Sequence, residues 1–385
     1  MSGRIYMRLV KLLVIILMIT ALGAASYFII SAKNKAHAYD LVQISTARPI
    51  SFGEDQDIHF FSEGFIITGP QARFYNYSGN EMSKPFTHDD LLYENGEINI
   101  ALHTENYLIT KSGHIYSTAS VPFKRIYDNP EGLVIAGAQE GADFLLLLLA
   151  RDEYNVEPYI LVNGSTFLLS LDGRGNTKYA ASAVSKGAKS LSVLSYSLDT
   201  PVPATRVFQY RNRNELYGVI TENDQLLYDI YRQEDSIILI GTDSIICYNI
   251  YGDRLWTVDN TYRSSYEYVY TRDSLLLYFK DSLSSGSQGG NAVLINNDGQ
   301  YNLLELPARV NSLIAHGRGF AGVEYGNTLV IMDENGRIQE NYRMTKQVVD
   351  LYKSPYMEDM FFAKTVDNTL AIYSYERKDE RSERN

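Results

Sequence analysis

The residues of this chain that could do chemistry are scattered rather than grouped. Gly317, Gly319 and Gly322 form a G-x-G-x-x-G pattern, which binds a dinucleotide only when a strand precedes it and a helix N-terminus follows. A β-type run, residues 326–332, follows instead, so the glycines read as a hairpin turn. The six histidines are His37, His59, His88, His103, His114 and His316, and none stands in H-E-x-x-H spacing. His88 with Asp89 and Asp90, and Asp55 with Asp57 and His59, offer enough oxygen for a calcium ion at a loop. Solvated loops account for both runs better. No G-x-S-x-G elbow supports a hydrolase serine. Cys247 is the single cysteine, which excludes an internal disulfide and a cysteine zinc cluster. Sequons at Asn76 and Asn163 match by chance composition. The expectation is therefore no catalytic residues, no metal ligands and no cofactor-binding residues.

The elements that would have to position such residues are strands. From residue 49 to 375, apolar, β-branched or Tyr-rich runs of 5–8 residues alternate with Gly, Asn and Asp turns, as at 64–68, 132–136, 144–150, 236–241 and 327–332. No stretch carries an apolar stripe at helical spacing. One phrase recurs: an apolar strand running into a Gly turn, at 72–79, 106–113, 244–252, 292–299 and 329–336. Its spacing fits the roughly 40–50-residue blade of a β-propeller, whose hairpins demand positive φ. The expected fold is all-β, a seven- or eight-bladed β-propeller, the count depending on how residues 215–258 divide. The strand-like segments 41–45 and 369–374 are expected to share the terminal blade, because an open blade exposes unpaired backbone groups.

Residues 247–256, with an apolar strand, a Gly turn and Trp256, resemble the strand endings of quinoprotein-type, WD40-like propeller blades. Residues 169–174 with 179–182 are similar to a TolB-like strand–turn–strand phrase, and Ser170, Asp172, Gly175 and Thr177 to the Asp box of sialidase-like propellers, a structural turn. The whole layout resembles a Firmicutes family of single-pass membrane proteins with an extracytoplasmic propeller; this resemblance implies the architecture and no activity. Quinone-binding propellers repeat their tryptophan, whereas Trp256 is the only one here, so no quinone is expected.

Location is set by the N-terminus. Residues 12–30 form an uncharged run long enough to span a bilayer, preceded by Arg4, Arg8 and Lys11 and followed by Lys33 and Lys35. The expected order is a cytoplasmic tip (1–11), a transmembrane helix (12–30), a linker (31–48) holding the ring-closing strand 41–45, the propeller (49–375) and a charged tail (376–385). A cleaved signal peptide, cut near Ala25 or Ala38, is the competing reading; either way the domain is exported, on the cell membrane's outer side. The net charge of −11 argues against nucleic acid as a partner. Tyrosine is abundant, 31 copies against 15 Phe, and suits both strands and binding surfaces. The expected function is a non-enzymatic binding or scaffolding protein of the bacterial cell envelope, with the lipid bilayer and an envelope or surface protein as partners. The alternative is an extracytoplasmic enzyme acting on glycan or lipid with carboxylates in the ring's channel.

Overall fold

The computed structural model describes residues 39–377, apart from 47, 70, 87–98, 130–131, 153–154, 172–176, 185–188, 198–203, 224, 234, 261–265, 272–273, 280–289 and 307–309. The apolar run 12–30, the His88, Asp89 and Asp90 cluster, Asp172, Gly175 and most of the charged tail lie outside the described residues. Among the described residues no helix is long and apolar enough to cross a membrane.

The chain is an eight-bladed β-propeller. Eight antiparallel sheets follow one another, and in all but the last the strand order is the chain order. Blade 1 covers residues 58–82, blade 2 100–127, blade 3 134–168, blade 4 177–222, blade 5 227–259, blade 6 266–306, blade 7 310–343 and blade 8 348–377. Blade 8 is completed by the chain start: Tyr39–Gln43 pairs antiparallel with Thr369–Arg377, Leu41 opposite Tyr375, and Ile50–Ser51 extends the same edge. The two chain ends thus share a blade. The closing strand begins two residues before the segment read from sequence, and the last strand runs to Arg377, into what was read as tail.

The blades pack face to face, which explains why their middle strands read as unbroken apolar runs. In Ser236–Gly241, every residue is buried. Ile237 and Leu239 pack in the cluster between blades 4 and 5, whereas Ile238 and Ile240 pack in the one between blades 5 and 6. A period of two with both faces covered gives a continuous hydrophobic segment. Each of the eight blade boundaries holds one such cluster. Outer strands alternate instead, as in Arg254–Asp259 and Ile338–Arg343, where side chains reach solvent.

The recurrent Gly phrase is one piece of turn chemistry. At Asn76, Thr110, Asn249, Asn296 and Asp333 the residue's carbonyl accepts from the Gly three positions on, and its N–H donates to the carbonyl four positions on. That is a type I turn closed by a left-handed G1-bulge residue, and Gly79, Gly113, Gly252, Gly299 and Gly336 have φ of 76, 84, 92, 81 and 74°. Four of these turns join the third strand to the outer one. Gly113 joins the second strand, Tyr107–Thr110, to the third, Ile115–Ser117. The count resolves to eight because residues 215–258 divide between blades: Glu215–Glu222 is the outer strand of blade 4 and the rest builds blade 5.

Candidate functional site: the inner strands and the rim of blades 3 and 4

Two polar clusters straddle blade boundaries near the inner strands. In the first, Asp57 immediately precedes the inner strand Ile58–Phe61 of blade 1. Its Oδ1 accepts the Ile58 N–H at 2.8 Å, and its Oδ2 lies 3.1 Å from His103 Nε2, at the end of the inner strand Ile100–His103 of blade 2. Burial alone would raise the Asp57 pKa, but the hydrogen bond and charge of His103 outweigh it and hold the carboxyl below its usual range. The His59 ring stands edge-on to His103, centroids 5.2 Å apart, and shares a 3.1 Å hydrogen bond with the Thr118 hydroxyl. Burial, helped by the charge of His103, pushes His59 down to about 3, so it is neutral at ordinary pH. The structure therefore brings together Asp57 and His59 from one motif with His103 and Thr118 from the next blade. Asp55 takes no part in these contacts, and no three His, Cys, Asp or Glu side chains among the described residues converge as a metal site.

The second cluster lies in a cleft of about 650 Å³ between blades 6, 7 and 8. Lys353, at the end of the inner strand Val348–Lys353, donates to His316 Nδ1 at 2.9 Å. His316 ends the neighbouring inner strand Val310–His316. Burial lowers both, His316 to about 4 with the charge of Lys353 adding to the fall, while Glu358 and Asp359 partly offset it at Lys353. Lys353 also faces the Phe361 ring at 5.9 Å, and Glu358 and Asp359 line the lip. Sequence reading did not find this pair. Its one signal was the separation of 37 residues, near one blade length, at which other cross-blade contacts recur: Gln139 to Ser182 at 43, Arg232 to Ser192 at 40 and Leu351 to Ser312 at 39.

Three inner-strand carboxylates are engaged by hydrogen bonds, one across a boundary: Glu140 of blade 3 accepts from the Thr104 hydroxyl at 3.0 Å and the Asn106 N–H at 2.9 Å in blade 2. Asp229 accepts from the Ile230 N–H at 2.8 Å and the Tyr231 hydroxyl at 3.1 Å, and Glu267 accepts from the Tyr278 hydroxyl. Trp256 pairs in register with Cys247 inside blade 5, and its indole N–H reaches the Gly299 carbonyl of blade 6. The tryptophan is a blade-to-blade contact. Burial pushes the Cys247 thiol up to about 12, which leaves it unreactive. Gly317, Gly319 and Gly322 lie on the hairpin between Val310–His316 and Gly319–Glu324, with no helix after them. Leu169 and Ser170 follow the outer strand of blade 3, whereas Tyr179–Ser182 belong to the inner strand of blade 4, so the TolB-like phrase spans two blades.

A third region mixes exposed apolar side chains with cations. Cavities of about 380, 520 and 250 Å³ flank the outer strand of blade 3, Ser165–Leu168, and its continuation to Leu171. Phe167 and Leu168 are 51% and 53% exposed there, and Leu216 and Val219, facing them from blade 4, are each 47% exposed.

Among solved structures the chain is similar to BamB from Moraxella catarrhalis, at TM-score 0.49 and 11% identity over 87% of this chain and 99% of that one. It is also similar to the WD40 domain of Neurospora crassa Pan2, at 0.42 and 10% over 72% and 89%. The computationally designed Ika8 protein gives 0.38 and 12% over 71% and 95%. These likenesses concern fold alone. No family model and no curated protein matches the sequence.

Proposed function

We propose that this chain is a membrane-anchored, extracytoplasmic propeller of the bacterial cell envelope that acts by binding or scaffolding rather than by catalysis. The observation that carries the binding reading is a division of labour between side chains. Polar and titratable groups near the inner strands bond to one another or to backbone across blade boundaries, as in Asp57 with His103 and Lys353 with His316. At the rim of blades 3 and 4, by contrast, four large apolar side chains, Phe167, Leu168, Leu216 and Val219, face solvent among exposed polar ones. Fold alone does not assign a function; this arrangement favours an interface.

The anchoring part rests on the sequence. The uncharged run 12–30 follows Arg4, Arg8 and Lys11, and the resemblance to single-pass Firmicutes propeller proteins agrees with it. About ten residues separate Ile30 from Leu41, roughly 35 Å at full extension, so the tether would hold blade 8 close to the bilayer. A reporter active only outside the cytoplasm, fused after Tyr375, should be active, and the mature chain should retain residues 1–30. Activity of a cytoplasm-only reporter at that position overturns the orientation. A new N-terminus near Ser26 or Tyr39 replaces the anchor with a released form.

A further inference from the structure

We propose that the rim groove beside the outer strand of blade 3 is a docking site for an extended, acidic segment of a partner protein that carries apolar side chains at alternate positions. The proposal deepens the binding reading above and rests on it. Three observations meet at this strand.

The first is the strand itself. Outer strands of a propeller are sheet edges, and proteins commonly blunt edges with charge. The outer strands of blades 5 and 7 follow that rule with Arg254, Asp259, Glu340 and Arg343. Ser165–Leu168 has no charge and ends in two exposed large apolar residues. It is also short. The third strand, Asn155–Val162, is twice its length, and the pairing between them covers Tyr159 to Val162 and ends on the Leu169 N–H to the Pro158 carbonyl. An added strand would find backbone groups to pair with, the mode by which extended peptides join sheet edges.

The second is concavity. Three of the cavities in the molecule adjoin this one strand or its continuation, and their walls include Phe167, Leu168, Leu216 and Val219. Such hollows on both sides of an edge would accept side chains that alternate up and down along a strand.

The third is charge. The described residues between 177 and 213 hold Lys178, Lys189, Arg206, Arg211 and Arg213 and no carboxylate, with Glu215 pairing Arg211, in a chain whose net charge is −11. Each cavity has one of these cations in its wall, Arg213, Arg206 and Lys178, and only the last has a carboxylate, Glu157, beside it. Arg213 and Lys189 share one carboxylate, Asp143, which leaves that group net positive. The local field therefore attracts an acidic segment. It also disfavours a second copy of this chain, since a two-fold pair would set the same cationic wall against itself. A lipid surface would satisfy the charge and the apolar side chains but not the open strand edge.

The test uses the full chain in detergent and a fluorescent synthetic peptide alternating glutamate with leucine and valine, read by anisotropy. The control replaces each glutamate with lysine. The expected result is saturable binding of the acidic peptide, at least about tenfold tighter than the control, and weaker in high salt. Phe167→Ser with Leu168→Ser should reduce binding at least about tenfold with an unchanged melting midpoint. Leu216→Ser with Val219→Ser, from the other wall, gives the same readout should the first variant unfold. Equal binding of both peptides, no binding, or binding untouched by the wall variants overturns the proposal. So does capture of anionic phosphatidylglycerol vesicles in place of the peptide, or a dimer in ultracentrifugation that these variants dissolve. A cytoplasmic location of the domain would overturn the anchored-scaffold reading and leave a positive peptide result standing. Failure of the peptide removes the groove and leaves the anchoring untouched.

Discussion

Around the closing blades 8, 1 and 2, side chains reach across every boundary. Blades 3 and 4 are also joined, by Lys189 to Asp143 and by the Tyr210 hydroxyl to the Ser170 carbonyl, but their outermost strands keep apolar residues in solvent. Phe362 of blade 8 meets Phe60 and Phe65 of blade 1 at ring distances of 4.8 and 5.2 Å. Tyr77 of blade 1 shares a 2.8 Å hydrogen bond with Ser354 of blade 8, and Lys364 of blade 8 donates to the Gly53 carbonyl at 2.9 Å. Asp57 and His103 carry the linkage on to blade 2. At the blade 3–4 rim, by contrast, Phe167, Leu168, Leu216 and Val219 remain open to solvent. Seams that must hold the ring shut use up their side chains on one another. At the blade 3–4 rim the joining is done by charged side chains such as Lys189 and Asp143, and the apolar ones are left to meet a partner.

The strongest way to break this contrast is to remove the seam. Deleting residues 40–46 takes away the outer strand that pairs with Thr369–Arg377 and exposes the edge of blade 8. The full chain should lose its cooperative thermal transition, or show a midpoint lowered by more than about 5 °C. An unchanged midpoint would show that the segment is only tether. Next in size is Phe362→Ala, which empties a fully buried site inside the aromatic cluster. It should cost about 3–5 kcal/mol in urea unfolding; a cost below about 1 kcal/mol would mean that the seam repacks freely.

Acid sharpens the comparison further, because both depressed histidines lie at the inner ends of seams. His59 and His316 have folded values of about 3 and about 4 against an ordinary 6.5. Below about pH 6.5 the unfolded chain therefore takes up protons that the folded chain refuses. Their contribution to stability is complete above that pH and is lost as pH falls towards 4 and then 3. Each should contribute a slope of about 1.4 kcal/mol per pH unit inside its window. Urea unfolding at pH 7 and pH 5 measures it, and His59→Asn should flatten the dependence by one proton. An identical slope in that variant would remove His59 from the account. The smallest effect is expected at the rim: Phe167→Ser should change stability by no more than about 0.5 kcal/mol, and a larger loss would make the rim a seam after all.

Much of the fold was legible because its causes are local. Apolar runs without helical spacing, such as Ser236–Gly241, announce strands buried on both faces. The Gly phrases encode a turn that needs positive φ, and all five form it. The unpaired-edge argument placed the first and last strands in one blade, and Leu41 does face Tyr375.

What stayed hidden depends on phase and on the ring. Blades 3 and 4 make their outer hairpins with other turns, at Asn163 with Gly164 and at Asn212 with Arg213, so they lack the repeating phrase, and Gly113 carries it at the wrong hairpin. The count of eight was therefore fixed only by sheet order. The pairing of Lys353 with His316, of Asp57 with His103 and of Trp256 with the Gly299 carbonyl joins residues about one blade apart. No local propensity links positions so distant; only closing the ring sets one inner strand beside the next. The groove at blades 3 and 4 has the same origin. Each of its walls is an ordinary strand in sequence, and the space between them exists only where two neighbouring blades diverge at the rim.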